Sequence, residues 1–288
     1  MAISFVGSAS SNSGTTNGGV TTLSVTMPVV LAGDLALFIL SKGATATPSA
    51  PTGFTISTSL STGTTNSTYV WYKVLDGTED GVSFTTSWTT AAYSAAAIVV
   101  YRGIDTTTPF DATTTTATKT TASTTTTFPS ITTVIGDSQI VHVIGSQMGA
   151  ATSGAITYTN PASPTHNQRV TSSSARNSSV NVGLNVSDYA TTSPGVTTGT
   201  QNGSESPSSV DGTLTIALRA STTFSATGSG SLSLSGSASV SALVTGTASL
   251  SLSATGVMRP IISGSAGQIT LSAIMTARLR FIGWGRPL

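Results

Sequence analysis

Hydrophobic positions along the chain fall into short apolar runs and period-two alternations, separated by Gly, Ser, Thr and Pro. The run 35–40, LALFIL, follows a Gly33-Asp34 turn and contains no polar residue, which indicates a strand buried on both faces. The run 95–101, AAAIVVY, has the same character. Between them the segment 68–75 alternates, so one of its faces is predicted to line a core. These patterns predict strands throughout and almost no helix.

The features around the first apolar run return further along the chain. Segment 28–43 reads PVVLAGDLALFILSKG and segment 129–145 reads PSITTVIGDSQIVHVIG, with a proline, a Gly-Asp turn and an apolar strand in the same order. The first half closes on AAAIVVYRGI and the second on GTLTIALRAS, each with an Arg near its end. Two related halves are therefore predicted, about 1–105 and 122–220.

A Thr-rich segment, 106–127, connects the two halves. In a secreted protein such a composition is typical of a disordered or glycosylated linker, whereas regular Thr alternation also fits a solvent-exposed edge strand. We expect a partly ordered crossover.

After Ala220 the composition shifts to Gly, Ser and Leu, and glycines recur every 18 residues at Gly228, Gly246 and Gly264. Each glycine is followed by a two-peaked apolar strand and then by a second strand, so each unit is predicted to be about one hairpin. A single unit cannot bury its apolar face alone. The tail 221–288 is expected to wind against copies of itself, from the same chain or from symmetry mates, and to serve oligomerisation or anchoring. The side chains expected at that interface are Leu232, Leu234, Leu250, Leu252, Ile269, Leu271 and Trp284.

Together these elements predict an all-β protein. Residues 1–220 are expected to form a two-half β-sandwich of jelly-roll type, and residues 221–288 a repetitive β-strand tail. The expected assembly is a homo-oligomer, with a trimer as the preferred state.

The composition narrows the function classes. Only 7% of residues are charged, and Thr, Ser, Gly and Ala make up the balance, so the surface is hydroxylated rather than ionic. The chain has no cysteine, which excludes a disulfide scaffold and a thiolate metal site. The N-terminus lacks the basic and apolar regions of a secretory signal, and no apolar run approaches the roughly 20 residues of a membrane helix. We therefore expect synthesis in a cytoplasm without membrane insertion.

The charge is unevenly distributed. Residues 212–288 contain five arginines and no acid, which suits docking to an acidic partner. Five scattered arginines are not the dense basic patch of a nucleic-acid-binding domain, so no nucleic-acid partner is expected.

Residues with catalytic potential are few. His142 lies within an apolar run and is expected to be a hydrogen-bonded core histidine, and His166 lies in a polar loop without a ligand-type neighbour at metal-binding spacing. No G-x-S-x-G motif accompanies them. We expect no enzymatic activity, no catalytic residue and no cofactor.

Two further sets are considered as binding sites. The acids Asp76, Glu79 and Asp80 lie in a Gly-flanked turn that is either a solvated hairpin or a weak Ca²⁺ site, and catalysis by this set is the remaining alternative. The aromatic residues either pack between sheets or form a platform on which a glycan stacks. These are Tyr69, Trp71, Trp88 and Tyr93.

Several segments carry a resemblance to a known class of proteins. The sequences AGDLALFILS, PTGFT, YVWYKVLDGTE and AAAIVVYRGIDTTTPFDA, closed by GTLTIALRAS, resemble β-sandwich modules of tailed-bacteriophage virion proteins. The repeats SLSLSG and TGTASLSLSATG look like the low-complexity strands of phage minor tail proteins. The resemblance implies a tail-associated or surface-fibre role in host attachment, located in the virion, with other virion proteins and a host cell-surface glycan as partners. A capsid decoration protein and a carbohydrate-binding module are the alternatives.

Overall fold

The computed structural model describes residues 2–14, 19–43, 46–148, 155–174 and 181–221, and the backbone of six short strands between 224 and 281. All regular structure within these ranges is β, as predicted. The chain divides into a compact unit Ala2–Ala220 and a C-terminal unit that begins at Ser221.

In its described residues, the first half of the larger unit contains seven strands. They are β1 (Ser4–Asn12), β2 (Val20–Thr26), β3 (Leu35–Gly43), β4 (Thr55–Thr62), β5 (Asn66–Val74), β6 (Ser83–Ala92) and β7 (Ser94–Arg102). Five of them form an antiparallel sheet in the order β1-β7-β3-β5-β4, here called sheet I, while β2 and β6 pair separately.

The described part of the second half contains six strands. They are β8 (Thr115–Phe128), β9 (Gln139–Gln147), β10 (Thr157–Thr159), β11 (Asn167–Ser173), β12 (Val182–Ala190) and β13 (Gln201–Leu218). These form an antiparallel sheet in the order β10-β13-β9-β12-β11, with β8 also paired to β13, here called sheet II.

The two halves share one strand order. The series β1-β7-β3-β5-β4 in sheet I corresponds to β8-β13-β9-β12-β11 in sheet II. The halves differ in where strands are interrupted. Strand β8, 14 residues long, corresponds to β1 and β2 together, and β13, 18 residues long, corresponds to β6 and β7 together. The two predicted halves are thus present as two sheets of one sandwich.

The Thr-rich segment is more ordered than expected. From Thr115 to Phe128 it forms strand β8, whose residues alternate between more and less exposed positions along much of its length. The expectation of a partly ordered crossover is therefore wrong for this stretch, and the edge-strand alternative is right. Thr alternation supports both interpretations; the pairing with β13, distant in sequence, decides between them.

The larger unit has three layers, namely the β2–β6 pair, sheet I and sheet II. Strand β3 lies in sheet I, the middle layer, and contributes to two cores. Phe38 and Leu40 pack with residues of β2 and β6, such as Trp88, in the core between sheet I and the β2–β6 pair. Leu37 and Ile39 pack in the core between sheets I and II. This explains why the run has no polar position: successive side chains point to opposite faces, and both faces are covered.

Close packing between the sheets depends on glycine at position 145. A Cβ atom at Gly145 would overlap Thr68 Oγ1 and would lie 2.8 Å from Ser41 Oγ. Asn66 Nδ2 donates a 2.8 Å hydrogen bond to the Gly145 carbonyl oxygen. The backbones of β9 and β5 can approach this closely only without a side chain at this position.

The C-terminal unit contains short strands, namely β14 (Phe224–Thr227), β15 (Ala242–Thr245), β16 (Leu250–Leu252), β17 (Ile261–Ser263), β18 (Ile269–Leu271) and β19 (Arg280–Phe281). Strands β14, β15, β17 and β19 pair in parallel, and so do β16 and β18. Phe224 pairs with Ala242 and Leu243 with Ile261, an offset of one 18-residue repeat.

The hairpin expected for each repeat is therefore wrong, since a hairpin joins antiparallel strands. Each repeat instead places its strands beside the equivalent strands of neighbouring repeats, as in wound repeat proteins. Of the predicted interface residues, Leu250, Leu252, Ile269 and Leu271 lie on the paired strands β16 and β18. Leu232, Leu234 and Trp284 lie outside the described residues.

Candidate functional site

The predicted glycan platform is largely inside the protein. Tyr69, Trp71 and Trp88 are 8%, 2% and 5% exposed and belong to the core between sheet I and the β2–β6 pair. The Tyr69 and Trp71 rings stack with centroids 5.4 Å apart. Tyr93 is partly buried. Tyr69, Trp71 and Trp88 therefore pack between sheets and do not offer their faces to a sugar.

The acidic turn uses its carboxylates to hold itself together. Glu79 forms a 2.9 Å ion pair with Lys73 and accepts backbone N–H groups of Asp76 and Gly77. Burial alone would raise the pKa of Glu79, but these partners lower it below its usual value. Asp76 accepts hydrogen bonds from Thr78, which lower its pKa.

The carboxylates of this turn do not converge on one point. Asp80 accepts the backbone N–H of Val30, away from the Lys73–Glu79 pair. Within the described parts of the chain, no group of three or more His, Asp or Glu side chains is arranged to hold a metal ion. The predicted Ca²⁺ alternative therefore has no geometric support. The predicted hairpin is also wrong, because the turn connects β5 of sheet I to β6, which pairs with β2 and not with β5, so it is a hydrogen-bonded connection between two sheets.

The two histidines meet, although they come from different elements. His142 on β9 stacks between Phe128 and His166, with ring centroids 4.1 and 4.9 Å away, and the Tyr189 ring contacts both histidines edge-on. His142 Nδ1 is buried and has no hydrogen-bond partner among the described residues. Burial and the neighbouring His166 lower the pKa of His142 to about 3, so this ring is neutral in the fold.

His166 is held differently. Its Nδ1 lies 2.6 Å from the Pro164 carbonyl oxygen and 3.1 Å from that of Pro161, which fixes the proton on this nitrogen. Burial lowers the pKa of His166, against the effect of these carbonyls. The pair is an aromatic cluster with a neutral core histidine. No sequence signal joins the two residues, because their contact arises from how β9 and the 161–166 loop stack.

A polar junction joins the two sheets. Tyr101 on β7 donates a 2.8 Å hydrogen bond to Asp188 Oδ2 on β12, and Arg169 Nε lies 2.7 Å from the same oxygen. Burial, followed by the Asp188 charge, raises the pKa of Tyr101. The Arg169 guanidinium also lies 4.2 Å from the centroid of the Phe5 ring. This arrangement pairs Oδ2 of a buried carboxylate and orients sheet II on sheet I, whereas Asp188 Oδ1 is buried without a hydrogen-bond partner among the described residues.

A second buried charged centre lies between β8 and β13, and here it is called the Lys119 centre. Lys119 Nζ lies 2.6 Å from Glu205 Oε1 and 2.7 Å from Asp211 Oδ2. Ser146 donates a 2.6 Å hydrogen bond to Glu205 Oε2, and Thr126 donates one to Asp211 Oδ2. Burial raises the pKa of Glu205, against the hydrogen bonds from Lys119 and Ser146.

Sequence reasoning missed the Lys119 centre. Glu205 and Asp211 are far from Lys119 in sequence, and only the β8–β13 pairing brings them together. The available signal was a single lysine in a segment of Thr, Ala and Ser, since a charged residue on a strand with so few charges needs a specific partner.

A shallow surface pocket of about 190 Å³ lies beside β4. Its lining consists of hydroxyl side chains, one alanine and one partly buried aromatic ring, namely Ser57, Thr58, Phe110, Ala112, Thr113 and Thr114. The Phe110 ring packs edge-on against Tyr72, with centroids 5.0 Å apart. Hydroxyl groups beside an aromatic ring suit weak contact with a polar, flat ligand.

Comparison with known proteins finds no matching family model, no similar curated protein and no similar solved structure. In the described residues, no helix is long and apolar enough to cross a membrane.

Proposed function

We propose that this protein is a structural component of a bacteriophage particle, tail-associated or part of a surface fibre, that contributes to adhesion to the host surface. The sequence resemblance to phage virion modules suggests the class of protein. The all-β sandwich with two apolar cores suits a structural component of a particle. The polar clusters described above form contacts within the protein and hold it together.

The observation that carries the proposal is the parallel pairing of the C-terminal strands at the spacing of the repeat. A structure that adds one strand to each sheet per repeat grows in one direction, and its end strands expose backbone groups that another strand can pair with. Such a segment suits anchoring or association with further copies. The homo-oligomer, with a trimer as the preferred state, is part of this proposal.

Adhesion in this proposal works by multiplicity. Many copies on one particle turn weak individual contacts with a host glycan into effective attachment, so no deep pocket is needed. The pocket beside β4, with Phe110 and its neighbouring hydroxyl groups, is the surface we assign to this contact.

Burial of Tyr69, Trp71 and Trp88 favours one alternative, a capsid decoration protein. A decoration protein stabilises the shell by binding across its subunits and requires no glycan site. A free-standing carbohydrate-binding module is a weaker candidate, because the predicted aromatic platform lies in the core.

Gold-labelled antibody against residues 1–220, applied to intact particles, tests the placement. Label on tails or fibres is the expected result, and label on heads would favour the decoration alternative. Particles that contain no copy of the protein would contradict both.

A glycan array with the full chain tests the adhesion surface. We expect binding by a multimeric form, and we expect Phe110→Ala to weaken it at least several-fold. Val134→Ala is the control, because Val134 is 64% exposed and does not line the pocket. Equal binding by both variants would remove the pocket from the proposal.

A further inference from the structure

Lys119 and Asp211 are direct partners in the register of β8 and β13. Directly opposed residues on antiparallel strands have Cβ atoms about 5 Å apart, a distance that a side-chain amide between lysine and aspartate can bridge. Lys119 Nζ and Asp211 Oδ2 are already in contact at 2.7 Å. The amine and the carboxyl carbon are therefore held as neighbours by the backbone itself.

The amine is fixed in place from several sides. Ser123 and Thr125 direct their carbonyl oxygens at Lys119 Nζ from 3.0 and 2.8 Å, in addition to the two carboxylates. The register of β8 and β13 is shifted on both sides of Ser209, so the chain bulges around this nitrogen. Holding two reacting groups in one geometry greatly raises the rate at which they combine.

The surroundings favour condensation over hydrolysis. The Glu205 and Asp211 side chains are 0% and 3% exposed, so little water competes at the carboxyl carbon. The raised pKa of Glu205 favours its protonated form, which can give and take a proton beside the amine. Lys119 retains 19% exposure of its side chain, which leaves a route for a released water molecule.

We propose that Lys119 and Asp211 are joined by an intramolecular isopeptide bond, which the folded chain forms itself with Glu205 as the proton carrier. This proposal does not depend on the proposed phage function.

The reaction needs no oxidant, reductant or external group. A proton passes from the Lys119 ammonium to the Asp211 carboxylate, which leaves a neutral amine and a neutral carboxylic acid. The amine nitrogen attacks Cγ of Asp211 and a C–N bond forms. Protonated Glu205 gives its proton to the departing hydroxyl group, so the C–O bond breaks and one water leaves, and the resulting Glu205 carboxylate takes a proton from the nitrogen. Glu205 ends in its starting state.

The intact mass of the full chain, measured under denaturing conditions, tests the bond directly. We expect the folded protein to weigh less than its sequence by the mass of one water molecule. The full sequence mass, after prolonged incubation of the folded protein, would overturn the proposal. Where the mass deficit is found, digestion should yield a branched peptide that links the segment containing Lys119 to the segment containing Asp211.

Variants distinguish the roles of the three side chains. Lys119→Arg keeps the charge but should restore the full sequence mass. Asp211→Asn keeps the carbon that is attacked and changes the leaving group, so the deficit should become that of one ammonia molecule. Glu205→Gln should slow bond formation about a hundredfold or more, as expected for loss of a general acid–base group. Circular dichroism of each variant should show that its β structure is retained.

The same variants identify the carboxyl group that reacts. If Glu205→Gln loses ammonia while Asp211→Ala still loses water, then Glu205 is the residue that is bonded, and the assignment to Asp211 is overturned.

Discussion

Gly145 lies at a tight contact between the two sheets, and a single methyl group should be enough to disturb it. We expect Gly145→Ala to lower the free energy of unfolding by about 1–3 kcal/mol, the usual cost of overfilling a packed core. Urea denaturation measures this change. The added Cβ overlaps Thr68 Oγ1, which has no hydrogen-bond partner among the described residues.

Thr68 provides the control for this explanation. Adding Thr68→Ala to the Gly145→Ala variant should recover part of the loss, because it removes the overlapping oxygen. Strict additivity of the two substitutions would show that the contact is not the cause.

His142 should make the stability depend on pH. Its pKa is lowered from 6.5 to about 3 in the fold, so below pH 6.5 the unfolded chain binds a proton that the folded chain does not. The free energy of unfolding therefore falls as the pH drops from 6.5 toward 3, by about 2 kcal/mol at pH 5 from this group alone.

His142→Phe keeps an aromatic ring against Phe128 and removes the titration. The decrease in stability between pH 7 and pH 5 should be smaller in this variant by about that amount. Parallel pH profiles for the two proteins would mean that His142 is not responsible.

At the scale of single elements, β3 is a strand with two buried faces. Substitutions at adjacent positions of β3 should therefore both lower the stability, each through a different core. Leu37→Ala acts on the core between sheets I and II, and Phe38→Ala acts on the core toward the β2–β6 pair. Both side chains are fully buried, so we expect losses of about 2–5 kcal/mol from each. Thermal or urea unfolding gives both values.

Strand β6 supplies the contrast, because its exposure alternates. Phe84→Ala should be costly, whereas Thr85→Ala, at an exposed position, should change stability by less than about 0.5 kcal/mol. A β3 variant as mild as Thr85→Ala would contradict the three-layer arrangement of the larger unit.

The elements differ in how far sequence predicts them. The continuous apolar runs of β3 and β9 indicate burial on both faces because no alternative hides so many large side chains. The sequence of strand β8 is ambiguous, since alternating Thr fits a linker as well as an edge strand. Its partner β13 is separated from it by most of the second half of the sequence, so the pairing could not be predicted. The 18-residue repeat could be identified from the sequence. Two apolar peaks per repeat fit a hairpin and a wound repeat equally well, and only the parallel strand register distinguishes these two structures.

The candidate sites were less predictable than the fold. Side-chain type suggested an aromatic platform, yet Trp71 and Trp88 occupy a core whose second layer, the β2–β6 pair, gave no distinct signal. The Lys119 centre and the histidine pair arise from contacts between residues distant in sequence. Such contacts follow from strand order and register, which periodicity does not specify.

At the scale of the whole molecule, the role proposed for the tail 221–288 is assembly. Light scattering coupled to size-exclusion chromatography, applied to the full chain and to residues 1–220, tests its role. We expect an oligomer, with a trimer preferred, for the full chain and a monomer for the fragment, because the proposed contacts lie in residues 221–288. If both are monomers, the oligomerisation hypothesis fails.

The bulge around Lys119 also bears on how crowded copies of this protein behave. Strand β8 pairs with β13 alone among the described strands, so it is an edge that a second molecule could otherwise extend. A distorted edge is a poor template for another strand, because the incoming backbone would meet a broken register. Lys119→Thr removes the side chain that holds the Ser123 and Thr125 carbonyl groups at this bulge, so it should lower the concentration at which the protein forms fibrils.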